Sequence, residues 1–464
     1  MVMRRVLKHH VCLCVLSTAI VAGLALITSQ KVYAQLKTEN CMGLVQDSQV
    51  LARHHDKREG KIVCDSGIKT RTLTGVRTID MSDPNEGDDE AIKIIGPNTD
   101  ITIGDDPLTV TDSKSSDKSA IRVEQGARLT LKEKVSITNV KKVMEVDGSG
   151  SVITVNGGTF GLKNAIEAGK DGGRVMIEVK KGGKVVFDKR GQSNGGDLTI
   201  SGGEGAMTTV TGIEVSETGG EVEVRKGTTL DFTGVTEAIK IKSSAEATVS
   251  GGGTINVTGS GGGSTVVKME GSGKADVMNL TINGSRGATV TGAEVSSGTL
   301  MMNMVKLMQV TTGAKVTGSG TLKVLEGTIT GKDGADTGVS AGGEKVTLNT
   351  VEISQFMTGV EATKGQLVIN GTSTITVTDG GTGLNITGGS ATMMGGEITG
   401  TGGARSRSTG VYAGGEKVTL NTVNVSGVQT GVEVTNGKLV INGTSTITVE
   451  GMYAYGVKVS GSAS

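Results

Sequence analysis

The sequence predicts an all-β protein: a right-handed parallel β-helix with about 24 residues per coil, about 15 coils and a small N-terminal cap. Three observations predict this fold. A short phrase returns at a regular interval, short segments alternate between apolar and polar residues, and the composition is rich in glycine but poor in aromatic residues. The chain has 464 residues, with 75 Gly, three Pro, four Phe and no Trp.

The returning phrase consists of a small residue, an aliphatic residue, any residue and a second aliphatic residue. It reads AIKI at Ala91 and GVKV at Gly456, which lie 365 residues apart. The 47-residue gap between the phrases at Ala165 and Gly212 is counted as two turns. This count gives about 15 intervals of about 24 residues, a period typical of a solenoid.

A longer copy supports the same period. Residues 337–377 and 409–449 lie 72 positions apart and agree at 32 of 41 positions. Both contain AGGEKVTLNT and LVINGTSTITV. A spacing of 72 residues corresponds to three turns of about 24 residues, so the copied unit is predicted to be three coils.

The segments within each turn predict strands. Segments such as KVTLN and STITV alternate with period two and are separated by Gly, Asn and Ser. This alternation is typical of strands with one buried face, whereas the frequent glycines do not suit a helix interior. Two interpretations stay open for the asparagines that recur beside the turns: side-chain amide ladders between coils, or turn residues that tolerate a left-handed backbone. These asparagines are Asn349, Asn370, Asn421 and Asn442.

The first 34 residues are typical of an export signal. They combine a basic start, an apolar run over residues 11–27 and small residues before Gln35, so we expect cleavage between Ala34 and Gln35. An uncleaved anchor is the alternative, since 17 apolar residues approach the length of a membrane span. Cleavage would remove four basic residues, leaving 43 basic against 47 acidic residues, a net charge of −4. This charge argues against nucleic acid as a partner.

Two cysteines remain after this cleavage, Cys41 and Cys64. An even pair in an exported protein predicts one disulfide. The alternative is a metal site that also uses His54 and His55. Adjacent histidines point to opposite sides of a strand, however, and the spacing matches no familiar zinc motif. We therefore expect a disulfide and no metal.

The expected domains follow from these observations. Residues 1–34 form the signal peptide, residues 35–80 a non-repeating cap that carries the disulfide, and residues 81–464 the β-helix. The repeat contains no His or Cys, which excludes catalytic systems built on those residues there. We expect no catalytic residue and no cofactor, and hence no enzyme. A polysaccharide-active β-helix is a weaker alternative because carboxylates and aromatic residues are sparse along the repeat.

One loop is the candidate site for a partner. The segment GARSRS at residues 403–408 lengthens its turn to 27 residues and carries Arg405 and Arg407. The segment GKDGAD at residues 331–336 takes the matching place 72 positions earlier. Loops on a rigid scaffold often carry binding residues, so Arg405 and Arg407 are predicted to contact a partner. A tolerated polar insertion is the alternative.

The export signal, the cysteine-bearing cap and the coils with TGV…GGxVTLNTVxIS…TGVE…GxLVINGTSTITV resemble passenger domains of type V autotransporters from alphaproteobacterial pathogens. The resemblance implies display at the cell surface or outer membrane, or secretion, and a role as an adhesin or virulence factor. The implied partner is a host cell-surface protein or the extracellular matrix. A self-associating structural solenoid is the alternative.

The resemblance also implies a C-terminal outer-membrane barrel. No series of alternating strands with aromatic girdles follows the repeats of this sequence. We therefore expect that the translocator barrel is missing from this chain and that the β-helix is open at its C-terminus.

Overall fold

A computed structural model of the chain describes residues 39–40, 58–59, 61–65, 71–82, 90–104, 106–113, 117–162, 174–189, 198–202, 209–259, 263–285, 287–402 and 407–463. Every regular element in these ranges is a β-strand, and the strands pair in parallel. The prediction of an all-β parallel solenoid is confirmed. Within the same ranges, no helix has the length and apolar character needed to cross a bilayer.

The described residues form 45 strands. The first fifteen are β1 (Glu39–Asn40), β2 (Arg58–Glu59), β3 (Ile62–Cys64), β4 (Arg71–Leu73), β5 (Arg77–Asp80), β6 (Ile92–Ile95), β7 (Asp100–Ile103), β8 (Leu108–Thr111), β9 (Ser119–Glu124), β10 (Arg128–Leu131), β11 (Val135–Val140), β12 (Lys142–Asp147), β13 (Val152–Val155), β14 (Gly158–Leu162) and β15 (Arg174–Lys180). The next fifteen are β16 (Gly183–Phe187), β17 (Leu198–Ser201), β18 (Val210–Ser216), β19 (Gly219–Val224), β20 (Thr229–Thr233), β21 (Glu237–Ile241), β22 (Glu246–Ser250), β23 (Thr254–Thr258), β24 (Ser264–Met269), β25 (Lys274–Met278), β26 (Thr281–Asn283), β27 (Val290–Val295), β28 (Thr299–Asn303), β29 (Lys306–Val310) and β30 (Thr312–Val316). The last fifteen are β31 (Thr321–Leu325), β32 (Thr328–Ala341), β33 (Lys345–Asn349), β34 (Glu352–Ala362), β35 (Gln366–Asn370), β36 (Thr374–Ile386), β37 (Ser390–Met394), β38 (Glu397–Gly400), β39 (Thr409–Ala413), β40 (Lys417–Asn421), β41 (Asn424–Val428), β42 (Thr430–Val434), β43 (Lys438–Asn442), β44 (Thr446–Val449) and β45 (Tyr455–Val459).

The strands stack in three ladders, to each of which every coil contributes one segment. The first ladder is a separate sheet of 15 strands that runs from β4 to β43. The second ladder includes β5, β8 and β44, and the third includes β6, β9 and β45. The second and third ladders form one 30-stranded sheet, because β32, β34 and β36 pass through both. The 72-residue unit spans three coils, since β33 pairs with β35, β35 with β37 and β37 with β40.

The returning phrase occupies the third ladder. In β42 the small residue Gly431 and the aliphatic residues Val432 and Val434 are buried, while Glu433 points outward. The inward aliphatic residues of successive coils form one continuous core. Burial of each such side chain contributes roughly 1.5–3 kcal/mol.

One coil differs from the prediction. The third-ladder strand that pairs with β12 is β15, in which Ile177 lies opposite Met144. The phrase MIEV at Met176 therefore takes the place assigned to AIEA at Ala165, which lies outside the described residues. Fifteen third-ladder segments from β6 to β45 give 14 steps, so the mean coil has about 26 residues rather than 24. The prediction counted one turn too many, because it divided the long segment between β12 and β18 into three turns and the structure has two.

The N-terminal boundary also differs. Strands β3, β4 and β5 pair with β6, β7 and β8 of the next coil, with Ile62 opposite Ile92, Arg71 opposite Ile101 and Arg77 opposite Leu108. Coil stacking therefore begins inside the segment assigned to the cap. These strands have only three or four residues, too few for the alternation to identify them from sequence.

The four phenylalanines belong to the core. Phe160, Phe187, Phe232 and Phe356 are fully buried among aliphatic side chains. Their rings fill the interior of the coils and are not exposed as stacking platforms for sugar rings.

The asparagines beside the turns fit neither of the two interpretations fully, the amide ladder or the left-handed turn residue. Asn349 and Asn370 lie opposite each other at the ends of β33 and β35, and the residues that follow them take the left-handed conformation: Thr350 at φ +55° and Gly371 at φ +67°. The Oδ1 atom of Asn370 is buried without a hydrogen-bond partner.

An amide ladder forms elsewhere, on the second ladder. The Nδ2 group of Asn256 donates to Asp231 Oδ1 at 2.7 Å, and Asn283 Nδ2 donates to Asn256 Oδ1 at 2.9 Å. The ladder thus joins three consecutive coils.

Glycine opens the phrase in every third-ladder segment from β27 onward because neighbouring coils approach closely there. A Cβ atom at Gly359 would lie 2.6 Å from the carbonyl oxygen of Gly383 and would also overlap Ile375 Cγ2. Equally close contacts would occur at Gly383, Gly410 and Gly431, but not at Gly456, where a Cβ would meet no atom within 4 Å. At the crowded positions a side chain would force the backbone or the core to shift.

We expect Gly359→Ala to lower the free energy of unfolding by about 1–3 kcal/mol, because the added methyl group overpacks the junction between coils. Gly287→Ala is the matched control, since a Cβ at Gly287 would meet no atom within 4 Å. Urea unfolding followed by circular dichroism measures both. Equal stability of the two variants would contradict the close approach.

We expect Thr350→Gly to stabilise the fold by about 0.5–1 kcal/mol, because a β-branched residue at φ +55° is strained by more than the extra unfolded-state entropy of glycine. The reverse change Gly371→Thr should destabilise it, since a Cβ there would lie 2.6 Å from Thr350 Oγ1. Unfolding midpoints in urea test the pair. A lower midpoint for Thr350→Gly would refute the strain.

Candidate functional site

The corner between the second and third ladders carries the variable loops of the molecule. From β4 onward, connections from the third to the first ladder contain two to four residues, and those from the first to the second also do, except for residues 188–197. Connections from the second to the third ladder range from none within β32 to 11 at residues 81–91. We call this corner the loop edge.

Both polar segments singled out in the sequence lie on the loop edge. Residues 331–336 form part of β32, and residues 401–408 connect β38 to β39. The two segments are three coils apart, which corresponds to about 14 Å along the stack. Lys332 of the first segment donates from Nζ to the carbonyl oxygen of Ala288 at 2.6 Å, so its ammonium group is held against another connection of the same edge.

Arg407 is exposed at the base of its loop. Its backbone N–H donates to Asp379 Oδ1 at 3.2 Å, and the hydroxyl of the next residue, Ser408, donates to the carbonyl oxygen of Thr378 at 3.2 Å. Ser408 is fully buried. The loop is thus anchored by its backbone and by Ser408, while the guanidinium group of Arg407 makes no ion pair within the described ranges. A free guanidinium is suited to bidentate contact with carboxylate, sulfate or phosphate groups.

Most of the remaining predicted site residues lie outside the described part of the chain. Those outside it are Arg405, Cys41, Ala34 and Gln35, together with His54 and His55 of the alternative metal site. Cys64 is fully buried and disulfide-bonded, and its pairing with Cys41 stays a prediction. Where the chain is described, no three His, Cys, Asp or Glu side chains come together to hold a metal.

Sequence reasoning missed the charged clusters on the outward face of the third ladder. Glu237 lies at the centre of one of them. Its carboxylate is 2.8 Å from Lys268 Nζ and 3.0 Å from Lys240 Nζ, and it accepts a hydrogen bond of 2.8 Å from Thr211. Glu270 completes the cluster, at 2.7 Å from Lys268 and 3.0 Å from Lys240.

The same pattern recurs in earlier coils. Glu145 lies between Arg122 and Lys180, at 3.3 Å and 2.8 Å. The third residue of the returning phrase supplies many of these charges, and register places it in one column: Arg122 opposite Glu145, Glu145 opposite Glu178. The run of basic and acidic residues at that position, from Lys93 to Glu294, was the signal in the sequence that could have revealed the clusters.

Burial and ion pairing have opposite effects on the pKa values of these carboxyl groups. Burial opposes ionisation of Glu237, but the hydrogen bonds from Lys268, Lys240 and Thr211 outweigh it and lower the pKa below its usual value of 4.5. Glu145 behaves in the same way: its pKa is lowered because Lys180, Lys142 and Arg122 outweigh burial. The lowered pKa values keep the clusters ionised at neutral pH, so that they join successive coils.

We expect Glu237→Gln to weaken the stack locally by about 1–3 kcal/mol at pH 7, because two half-buried lysines lose a shared carboxylate. Since the pKa of Glu237 is lowered in the folded state, its stabilisation is present above about pH 4.5 and is lost as the pH falls through the lowered value. Hydrogen exchange of the amides in β21 measures the effect. The difference between variant and parent should shrink below about pH 4; a constant difference would contradict the role of ionisation.

Comparison with protein-family models, with curated proteins and with solved structures finds no match to this chain. The loop edge and the charged clusters are therefore interpreted from their geometry alone.

Proposed function

We propose that this protein is an exported β-solenoid, displayed at the cell surface or released, that acts as an adhesin or virulence factor and binds a host cell-surface protein or the extracellular matrix through its loop edge. The observation that carries the proposal is the separation of fixed coils from variable loops. Two of the three corners keep nearly constant lengths, while the loop edge alone varies throughout the stack. Variable loops on a fixed scaffold are typical of binding surfaces.

The export signal and the resemblance to autotransporter passengers support the location. The stacked coils suit such a role physically, because every coil is held by parallel pairing on both sides and the stack keeps its loops at fixed spacing.

The loop that carries Arg405 and Arg407 is the proposed contact. The backbone at Arg407 is anchored to Asp379, yet its side chain is exposed, so the residue can contact a partner without disturbing the coil. Acidic groups on a host protein would complement the two arginines.

Binding of the purified protein to host cells tests this proposal. We expect saturable binding that weakens about five- to tenfold in the Arg405→Ala/Arg407→Ala variant. We also expect unchanged unfolding in urea, because Arg407 is exposed and its side chain forms no ion pair within the described ranges. Lys315→Ala, an exposed lysine of the third ladder away from the loop edge, is the matched control. Equal binding by the arginine variant and the parent would refute the choice of loop, and the absence of any binding would refute the adhesin role.

Self-association is the second candidate function, favoured by the copied 72-residue unit. The copies present the same outward residues of the first ladder three coils apart, for example Lys345 and Lys417. Identical translated surfaces suit contact between copies of one chain. Sedimentation of the protein over a range of concentrations would detect it, and a monomer at all concentrations would contradict it.

A further inference from the structure

We propose that the outward face of the first ladder, from β28 to β43, binds a linear acidic polysaccharide, with Lys417 and Lys438 as its main charged contacts. This inference rests on the proposed function, since an extracellular polymer requires export. It names a second surface, distinct from the loop edge, and the chemical class of its partner.

The first-ladder face differs from the rest of the surface in its charge. Its seven strands from β28 to β43 each have three outward positions, because alternate residues of a strand point to opposite sides. Of these 21 positions, four are lysines and none is Asp or Glu. The lysines are Lys323, Lys345, Lys417 and Lys438. By contrast, the second ladder over the same coils presents Glu352 and Glu397.

Two of the lysines lie directly opposite each other. Lys417 of β40 pairs in register with Lys438 of β43, on strands about 4.8 Å apart. Both are exposed, and neither forms a salt bridge within the described ranges. Glu416 precedes Lys417 at the corner and forms no salt bridge there either. Like charges opposite each other on neighbouring strands repel, so this pair lowers the stability of the uncomplexed face.

The molecule contains an internal comparison. Lys240 and Lys268 have the same relation in the third ladder, opposite each other on neighbouring strands. There Glu237 and Glu270 lie between the two ammonium groups, at 2.7 to 3.0 Å, and neutralise them. Among the described residues, no carboxylate forms a salt bridge with Lys417 or Lys438. We infer that acidic groups of a partner take the corresponding places.

The column of residues around this pair suits an extended polymer. Lys345, Gln366, Ser390, Lys417 and Lys438 lie opposite one another on five consecutive strands. The column therefore spans about 19 Å along the stack. Lysines at its two ends can bind acidic groups, while the Gln366 amide and the Ser390 hydroxyl between them can bind neutral hydroxyl groups. A linear saccharide with carboxylate or sulfate groups at intervals carries both kinds of group.

Binding to heparin, hyaluronan, neutral dextran and phosphatidylserine vesicles tests the inference. We expect micromolar binding to one or both acidic polysaccharides, and a loss of at least tenfold in the Lys417→Gln/Lys438→Gln variant. The matched control is Lys306→Gln/Lys315→Gln, which removes two exposed lysines from the other ladders and should change affinity less than twofold. Lys417→Arg/Lys438→Arg should retain binding because it keeps both charges. Unchanged unfolding in urea would show that each variant folds.

Four outcomes would overturn the inference: no binding to either acidic polysaccharide, equal losses in the two glutamine variants, equal binding to dextran, or stronger binding to vesicles than to polysaccharide. Host-cell binding measured in parallel separates this inference from the proposed function. Cell binding that survives without polysaccharide binding would leave the adhesin role intact and remove only this surface. Polysaccharide binding without cell binding would contradict the proposed function instead.

Discussion

The parallel pairing of every strand with the strands one coil before and one coil after it is the constraint on which the rest of the structure depends. Pairing fixes the spacing of coils at about 4.8 Å and places equivalent residues of successive coils in columns. Each column must then accept a stack of close neighbours with similar side chains. The composition of this chain agrees with that requirement, since stacked β-branched residues pack well on a pleated surface.

The columns of the third ladder accommodate closely stacked neighbours in three different ways. Where coils approach most closely, glycine removes the side chain, as at Gly359. Beside that column, threonines stack without charge over eight consecutive coils, from Thr265 to Thr430. In the outward column of the earlier coils, acidic and basic residues share partners between coils, as Glu237 does with two lysines. The first two solutions avoid a steric clash or a stack of charges, and the third neutralises like-charged neighbours such as Lys240 and Lys268 with shared carboxylates.

The same constraint separates the fixed positions of the coils from the variable ones. Inward residues and two corners are fixed by stacking, so variation is left to the loop edge and to the outward side chains. The loop of Arg407 and the lysine pair at Lys417 and Lys438 use these two kinds of freedom. Arg407 is exposed beside its backbone anchor to Asp379, and the lysine pair leaves on the sheet a repulsion that partner charges would relieve.

The sequence by itself determined the strand character, the inward and outward alternation and the three-coil length of the copied unit, because all three are local or strictly periodic properties. Only the tertiary structure decided which segments pair. It placed MIEV at Met176 in the third ladder, began the coils inside the expected cap, and brought Lys417 opposite Lys438 although they are 21 residues apart. The physical reason is that the register between coils depends on the lengths of the connections. Those lengths vary at the loop edge, and no local pattern encodes them.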